Sequence, residues 1–185
     1  MGRVSLALVH YPVVDKFDQL YTTAITNIDV HDIARSARTF GLDQYYIISP
    51  IDAQRKLADT IATFWIDGTG HRRNPDRANA MGLVNVAVTL EECLAREESL
   101  VGEKPVLIAT SAKPCPKKII RNEEGQQIIK AAKSSVLVFG TGYGLAPSII
   151  DMADYLLEPI CGSPDYNHLS VRSAAAITLD RLFRT

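Results

Sequence analysis

The run Val136-Leu-Val-Phe-Gly-Thr-Gly-Tyr-Gly-Leu145 decides the reading of this chain. Ser135–Phe139 is its most β-like segment and is apolar from Val136 onward, as expected of a strand covered on both faces. It runs directly into Gly140, Gly142 and Gly144. Glycines at alternate positions let a backbone pass through positive φ and come close to whatever it surrounds. In open α/β sheets, ligands sit beyond the carboxyl ends of the strands. This loop stands at such an end.

Outward from the loop, strands and helices alternate. Short β-rich runs cover 3–9, 44–48, 83–88 and 105–109, and helical spacing covers 28–40, 52–66, 90–100 and 121–133. The first helix carries an apolar stripe of Ile28, Ile33, Ala34, Ala37 and Phe40. Asn27 or Asp29 is its expected N-cap and Gly41 its stop. The second carries Leu57, Ile61 and Phe64 on one stripe. Thr89 caps the third, with Glu92 completing a capping box. Residues 67–80 (DGTGHRRNPDRANA) hold almost nothing apolar and read as a loop, with a short helix after Pro75. Beyond the glycine loop come a short helix near 147–152, a strand at 154–157 and a last helix over 168–183. Such alternation predicts a single-domain α/β fold, a mainly parallel sheet with helices on both faces.

Bulk properties narrow the class further. The 185 residues are 46% hydrophobic and 22% charged, which is globular rather than disordered composition. No apolar run approaches the length of a bilayer span, and 4–9 is too short for a signal-peptide core. A cytoplasmic protein with no membrane partner is expected. Cys93, Cys115 and Cys161 are scattered, odd in number and form no CxxC pair, so each reads as a small buried hydrophobe rather than part of a disulfide framework. Cys115, between two prolines, is also placed for a nucleophilic role that nothing else in the sequence supports. The histidines lack metal-ligand spacing, and no metal is expected. The net charge of −1 gives a nucleic-acid partner no general attraction, so such a partner would need a local basic patch.

Two nucleotide loops can be set aside. A phosphate-binding P-loop needs Lys then Ser or Thr after its last glycine, whereas Leu145 and Ala146 follow here. A dinucleotide fingerprint is GxGxxG in the first βα turn. Here the pattern is GxGxG at the penultimate strand. On spacing alone, a glycine turn without a ligand stays open.

Three segments together carry a resemblance. Residues 135–145 (SVLVFGTGYGL), 166–177 (YNHLSVRSAAAI) and 26–41 (TNIDVHDIARSARTFG) resemble, in order and spacing, the glycine loop, last motif and first motif of SPOUT methyltransferases. The likeness covers most of the chain, least diagnostically over 50–105. It points to a small bacterial branch related to tRNA guanine-N1 methyltransferases.

That resemblance implies a C-terminal trefoil knot holding S-adenosylmethionine, which leaves as S-adenosylhomocysteine. Three loops would bind it. The first supplies Ala109, Thr110 and Ser111. The second supplies Gly140, Thr141, Gly142, Tyr143, Gly144 and Leu145. The third supplies Ile160, Gly162, Asn167, Leu169, Ser170 and Val171, with Ala174 behind. Leu145, Ile160 and Leu169 would wall the adenine, and Ala174, Ala175 and Ala176 would let the last helix pack closely. The resemblance also implies a homodimer whose active site joins this pocket to first-motif residues of the other subunit.

Arg35 matches the first-motif arginine. A guanidinium is hard to deprotonate, so it would position a phosphate or the nucleophile. Asp29 stands where ribose-methylating relatives carry asparagine, and an aspartate can accept a proton from a base nitrogen. It can equally be a helix cap. His31 is a further helper or a structural residue. The RNA substrate would meet Arg72, Arg73 and Arg77 in one loop, and Lys113, Lys117 and Lys118 in another. Two other readings stay open: a non-catalytic S-adenosylmethionine- or nucleotide-binding protein, and a methyltransferase of a non-RNA substrate.

Overall fold

The computed structural model describes residues 2–67, 69–113, 117–163 and 166–184, so Cys115 lies outside the described residues. In chain order the strands are β1 (Arg3–Val9), β2 (Val13–Val14), β3 (Leu20–Tyr21), β4 (Gln44–Ile48), β5 (Val84–Ala87), β6 (Val106–Thr110), β7 (Ile119–Ile120), β8 (Ser134–Gly140) and β9 (Tyr155–Leu157). The helices are α1 (Asn27–Thr39), α2 (Asp52–Ile66), α3 (Thr69–Arg73), α4 (Pro75–Met81), α5 (Leu90–Val101), α6 (Asn122–Ala131), α7 (Pro147–Met152) and α8 (Val171–Phe183). None of the described helices is long and apolar enough to cross a membrane.

Seven strands form one sheet in the order β5-β4-β1-β8-β6-β9-β7. Every pairing in it is parallel. β1, β4 and β5 step outward in one direction. The chain then crosses back to lay β6 on the other side of β1, and β8 fills the space between them. Crossovers of this kind leave a crevice at the carboxyl ends where the order reverses.

Both sheet faces are covered, which is why β1 and β8 are apolar over most of their length, with Ser5, Ser134 and Ser135 buried among the apolar residues. Leu6, Leu8, Leu137 and Phe139 face one core with α1, α2, α6 and α8. Ala7, Val9, Val136 and Val138 face the other with α5 and α7. The period-2 alternation of a strand assigns these residues to opposite layers.

Several local expectations are corrected. α1 is capped by Thr26, not by Asn27 or Asp29. Thr26 is the residue with extended backbone, its Oγ1 accepts from the Asp29 amide at 3.3 Å, and it donates to Asp29 Oδ2 at 2.6 Å. Gly41 takes φ +74° just beyond the helix end, the left-handed stop that glycine adopts freely. Ile28 is 51% exposed, and Val30 occupies the buried stripe instead. On α2 the buried positions are Ala58 and Ala62, while Leu57 and Phe64 face outward. Small residues let that helix lie close to its neighbours.

The loop expected at 67–80 contains the five-residue α3, followed by α4 with Pro75 at its start and Asn74 as cap. Thr89 caps α5 as expected, but Glu92 reaches back one residue further, accepting from the Val88 amide at 2.7 Å. The β2–β3 hairpin and β7 are too short to carry a periodic signal. Cys93 is a core residue, whereas Cys161 is exposed, contrary to the expectation of burial.

Candidate active site

Beyond the carboxyl ends of β6, β8 and β9 lies a cavity of about 700 Å³. That volume is in the range of small-molecule sites. Three stretches wall it: Thr110–Lys113 after β6, Phe139–Gly144 at the end of β8, and Glu158–Ile160 with Asn167–Val171 after β9. Ala174 and Thr178 of α8 close one side, and Thr23, Ala24 and Asp29 close another.

The glycine loop is held from behind by the hairpin. The Val14 amide donates to the Gly144 carbonyl at 3.0 Å, the Tyr143 amide donates to the Val14 carbonyl at 3.1 Å, and Val13 bridges to Leu145. Gly142 takes φ +62° and Gly144 φ +117°. A Cβ on Gly142 would lie 1.9 Å from the Tyr21 hydroxyl oxygen, so the tyrosine packs where a side chain would begin. At Gly140 the next turn comes as close: a Cβ there would meet the Leu145 nitrogen at 2.7 Å.

A buried polar chain runs behind the loop. His10 Nδ1 lies 2.9 Å from Thr23 Oγ1, Thr23 bonds to the Thr141 hydroxyl, and Thr141 donates to the Val9 carbonyl at 3.0 Å. His10 is 1% exposed. Burial lowers its pKa to about 4, against opposing effects of the Asp29 charge and a hydrogen bond at Thr23. The unfolded chain, with an ordinary histidine, takes up that proton near pH 6.5. Stability from His10 is therefore complete above pH 6.5 and falls as the pH drops toward 4, by roughly 3 kcal/mol in all. Urea midpoints measured from pH 7.5 to 4.5 should decline for the wild type, and less steeply for His10→Gln. Parallel declines would show that other groups govern the acid limb.

Asp29 sits at the cavity wall with both carboxylate oxygens engaged. Oδ1 is 3.3 Å from Arg172 Nη1, and Oδ2 accepts from Thr26. Arg172 also approaches Asp32 at 3.7 Å. Arg35 does not reach this cavity. It lines a separate groove of about 400 Å³ between α1 and α8, with Asp32, Ser36, Thr39 and Arg172 among its neighbours.

Of the residues expected around the cofactor, the cavity brings together Thr110, Ser111, Gly140, Thr141, Gly142, Tyr143, Gly144, Ile160, Asn167, Leu169, Ser170, Val171 and Ala174. Three others lie elsewhere. Ala109 is buried in β6, Leu145 is in the core beneath the loop, and Gly162 is exposed off the cavity wall. Among the positive side chains, Arg72 and Arg73 are exposed on α3. Arg77 stacks 4.6 Å over Trp65, Lys117 donates to the Asp151 carbonyl and Lys118 lies over Tyr155. Lys113 is at the cavity rim, in an ion pair with Asp18 of the hairpin at 2.9 Å. His31 accepts from Trp65 Nε1 at 3.2 Å, and its pKa is lowered, first by burial and then by Arg77.

Sequence reasoning missed Thr23, Glu158 and Arg172. Arg172 stands inside the last motif, but its partner acids lie 143 residues away at Asp29 and further along at Asp32, a juxtaposition only the fold creates. Glu158 is pinned by the Asn122 amide at 2.9 Å and by the Asn122 side chain.

The chain is similar to proteins of related description. An Aquifex aeolicus (strain VF5) protein called uncharacterized is 42% identical over 98% of this chain and 88% of its own length. A tRNA (guanine-N(1)-)-methyltransferase of Oleidesulfovibrio alaskensis is 44% identical over 95% of this chain, which spans only 41% of that protein. Among solved structures, TrmJ from Z. mobilis ZM4 superposes with a TM-score of 0.63 at 14% identity, over 100% of this chain and 69% of the other. The architecture is thus the knotted fold of the SPOUT methyltransferases. The model of the SAM-dependent RNA methyltransferase family matches residues 3–184, and the chain belongs to that family.

Proposed function

We propose that the 700 Å³ cavity holds S-adenosylmethionine and that the chain methylates a base nitrogen of tRNA, acting as a homodimer. The observation that carries this reading is the convergence of three loops on one cavity. Each follows a parallel strand, and each matches a segment expected to grip the cofactor. The tRNA substrate is supported by the description of the relative that is 44% identical.

The residues fit the cofactor. The glycine loop and the turn after β6 offer backbone donors and acceptors for adenine, and Ile160 and Leu169 offer apolar contact. When bound, the cofactor supplies an electrophilic methyl group on a positively charged sulfur. The protein's task is to align a nucleophile with that methyl and to accept the nucleophile's proton. Asp29 is the carboxylate on the α1 side of the wall, and Arg172 and Thr26 fix both its oxygens, which sets the direction of its free lone pairs.

Arg35 faces away from its own chain's cavity, and this supports the dimer. Two-fold association through α1 and α8 would carry the Arg35 of one subunit toward the cavity of the other. There a guanidinium would hold a substrate phosphate. Arg72 and Arg73 are free to extend the phosphate contacts along the RNA.

Arg35→Ala is expected to lower methyl transfer to tRNA by about a hundredfold or more, with cofactor affinity within twofold of the wild type. Transfer of labelled methyl groups and calorimetric titration measure the two. Unchanged turnover would remove Arg35 from the mechanism. Label appearing in protein or small molecules but not in RNA would overturn the substrate. Cofactor binding with no transfer to any substrate would favour a non-catalytic binding protein.

A further inference from the structure

We propose that Thr23 and Thr141 present an acceptor-only face to the cavity, which selects the charged sulfonium cofactor over its uncharged thioether product. The inference deepens the proposed function and rests on S-adenosylmethionine occupying this cavity. Its basis is the direction of protons along the buried chain. The Val9 carbonyl can only accept, so the single proton of Thr141 is committed to it at 3.0 Å. Thr141 Oγ1 therefore receives the bond from Thr23, which commits the single proton of Thr23. Thr23 Oγ1 in turn receives from His10 Nδ1 at 2.9 Å. With the Thr23 proton spent on Thr141, the bond to His10 is made by the tautomer that carries its proton on Nδ1, which leaves the buried Nε2 an acceptor with no partner among the described residues.

Both threonines line the cavity, and both have spent their donors inside the protein. Toward a ligand they offer lone pairs alone. Lone pairs attract hydrogen on carbon that a neighbouring positive charge has polarised, which describes the carbons around a sulfonium. They gain nothing from a neutral thioether. Of the two carboxylates of the cavity wall, Asp29 has both oxygens bonded, by Arg172 and Thr26, and Glu158 has Oε1 bonded by Asn122, so the hydroxyl pair adds a neutral acceptor surface to the charge that these groups supply. Discrimination of this kind favours exchange of product for fresh cofactor after each turnover.

The competing account is mechanical: the chain merely pins the glycine loop to β1. The two accounts separate in binding measurements on the intact protein. S-adenosylmethionine and S-adenosylhomocysteine share adenosine, ammonium and carboxylate, and differ in the methyl group and in the positive charge that it leaves on sulfur. Titration calorimetry of each with the wild type, Thr141→Val, Thr23→Val and Thr141→Ser reads that difference. We expect the valine variants to bind the sulfonium compound about tenfold more weakly, to hold the thioether within twofold, and Thr141→Ser to behave as the wild type. An equal loss for both compounds, or no loss for either, overturns the proposal while leaving the cavity assignment intact. Wild-type protein that binds neither compound overturns both. Thr23→Val leaves the bond from Thr141 to Val9 in place, and it decides the matter if Thr141→Val does not fold.

Discussion

Gly142→Ala is expected to bind S-adenosylmethionine roughly tenfold more weakly than the wild type, and to melt within a few degrees of it. Two effects add. The residue sits at φ +62°, where a side chain costs about 1–2 kcal/mol. The new Cβ would also meet the Tyr21 hydroxyl at 1.9 Å, a distance at which something must move. The contacted atom is the far end of the Tyr21 side chain, so relief of the clash turns that ring off the loop it backs and loosens the cavity wall. Each 1.4 kcal/mol is tenfold in affinity. The fold survives because the loop lies outside both hydrophobic cores. Gly41→Ala is the matched control: φ is +74°, but nothing lies within 4 Å of the added carbon. That variant should lose about 1 kcal/mol of stability and no cofactor affinity. Calorimetric titration of both variants is the measurement, and near-native binding by Gly142→Ala would mean that this loop does not touch the ligand.

Glu97→Leu is expected to have the largest effect on stability, about 3 kcal/mol or more. Glu97 is 0% exposed on α5, beneath the far face of the sheet. Its Oε1 accepts from Tyr46 at 2.8 Å, and its Oε2 lies 3.4 Å from Arg3 Nε. Burial, and after it the Glu97 carboxylate, raises the Tyr46 hydroxyl and the Cys93 thiol well above their ordinary pKa values, so both stay neutral. Removing the carboxylate strands the tyrosine hydroxyl and leaves Arg3 leaning on Asp43 alone. At this chain length the loss corresponds to roughly 10 °C in melting temperature. Tyr46→Phe in the same background should recover part of it, because the stranded hydroxyl goes too. Additive losses in the double variant would place the two residues in separate networks.

The sheet was legible because its strands are covered on both sides and therefore read as predominantly apolar runs between helical segments. The hairpin was not, since Val13–Val14 and Leu20–Tyr21 are two residues each and show no period. Its absence from the sequence reading is the reason that Thr23, and the polar chain through it, went unseen. The stripe on α2 misled for another reason. Leu57 and Phe64 satisfy helical spacing, but the neighbouring elements press on Ala58 and Ala62 one residue along. Periodicity reports that a face is apolar, and packing decides which residues within that arc are covered. The glycine loop and the last motif were readable as segments because backbone conformation, not side-chain partnership, marks them, although Leu145 lies in the core beneath the cavity. Arg172 was not, because an ion pair across 143 residues leaves no trace in local spacing.

Three successive alanines on α8 look in three directions. Ala174 faces the cavity, Ala175 is sealed in the core, and Ala176 opens on the groove beside Arg35. Successive residues of a helix are about 100° apart, so the phase of α8 is locked to all three surroundings at once. A single-residue insertion or deletion within the first turn of α8 would turn the residues beyond it by about 100° and misplace every neighbour together. The helix therefore tolerates a change of side chain on its exposed side better than any change in length.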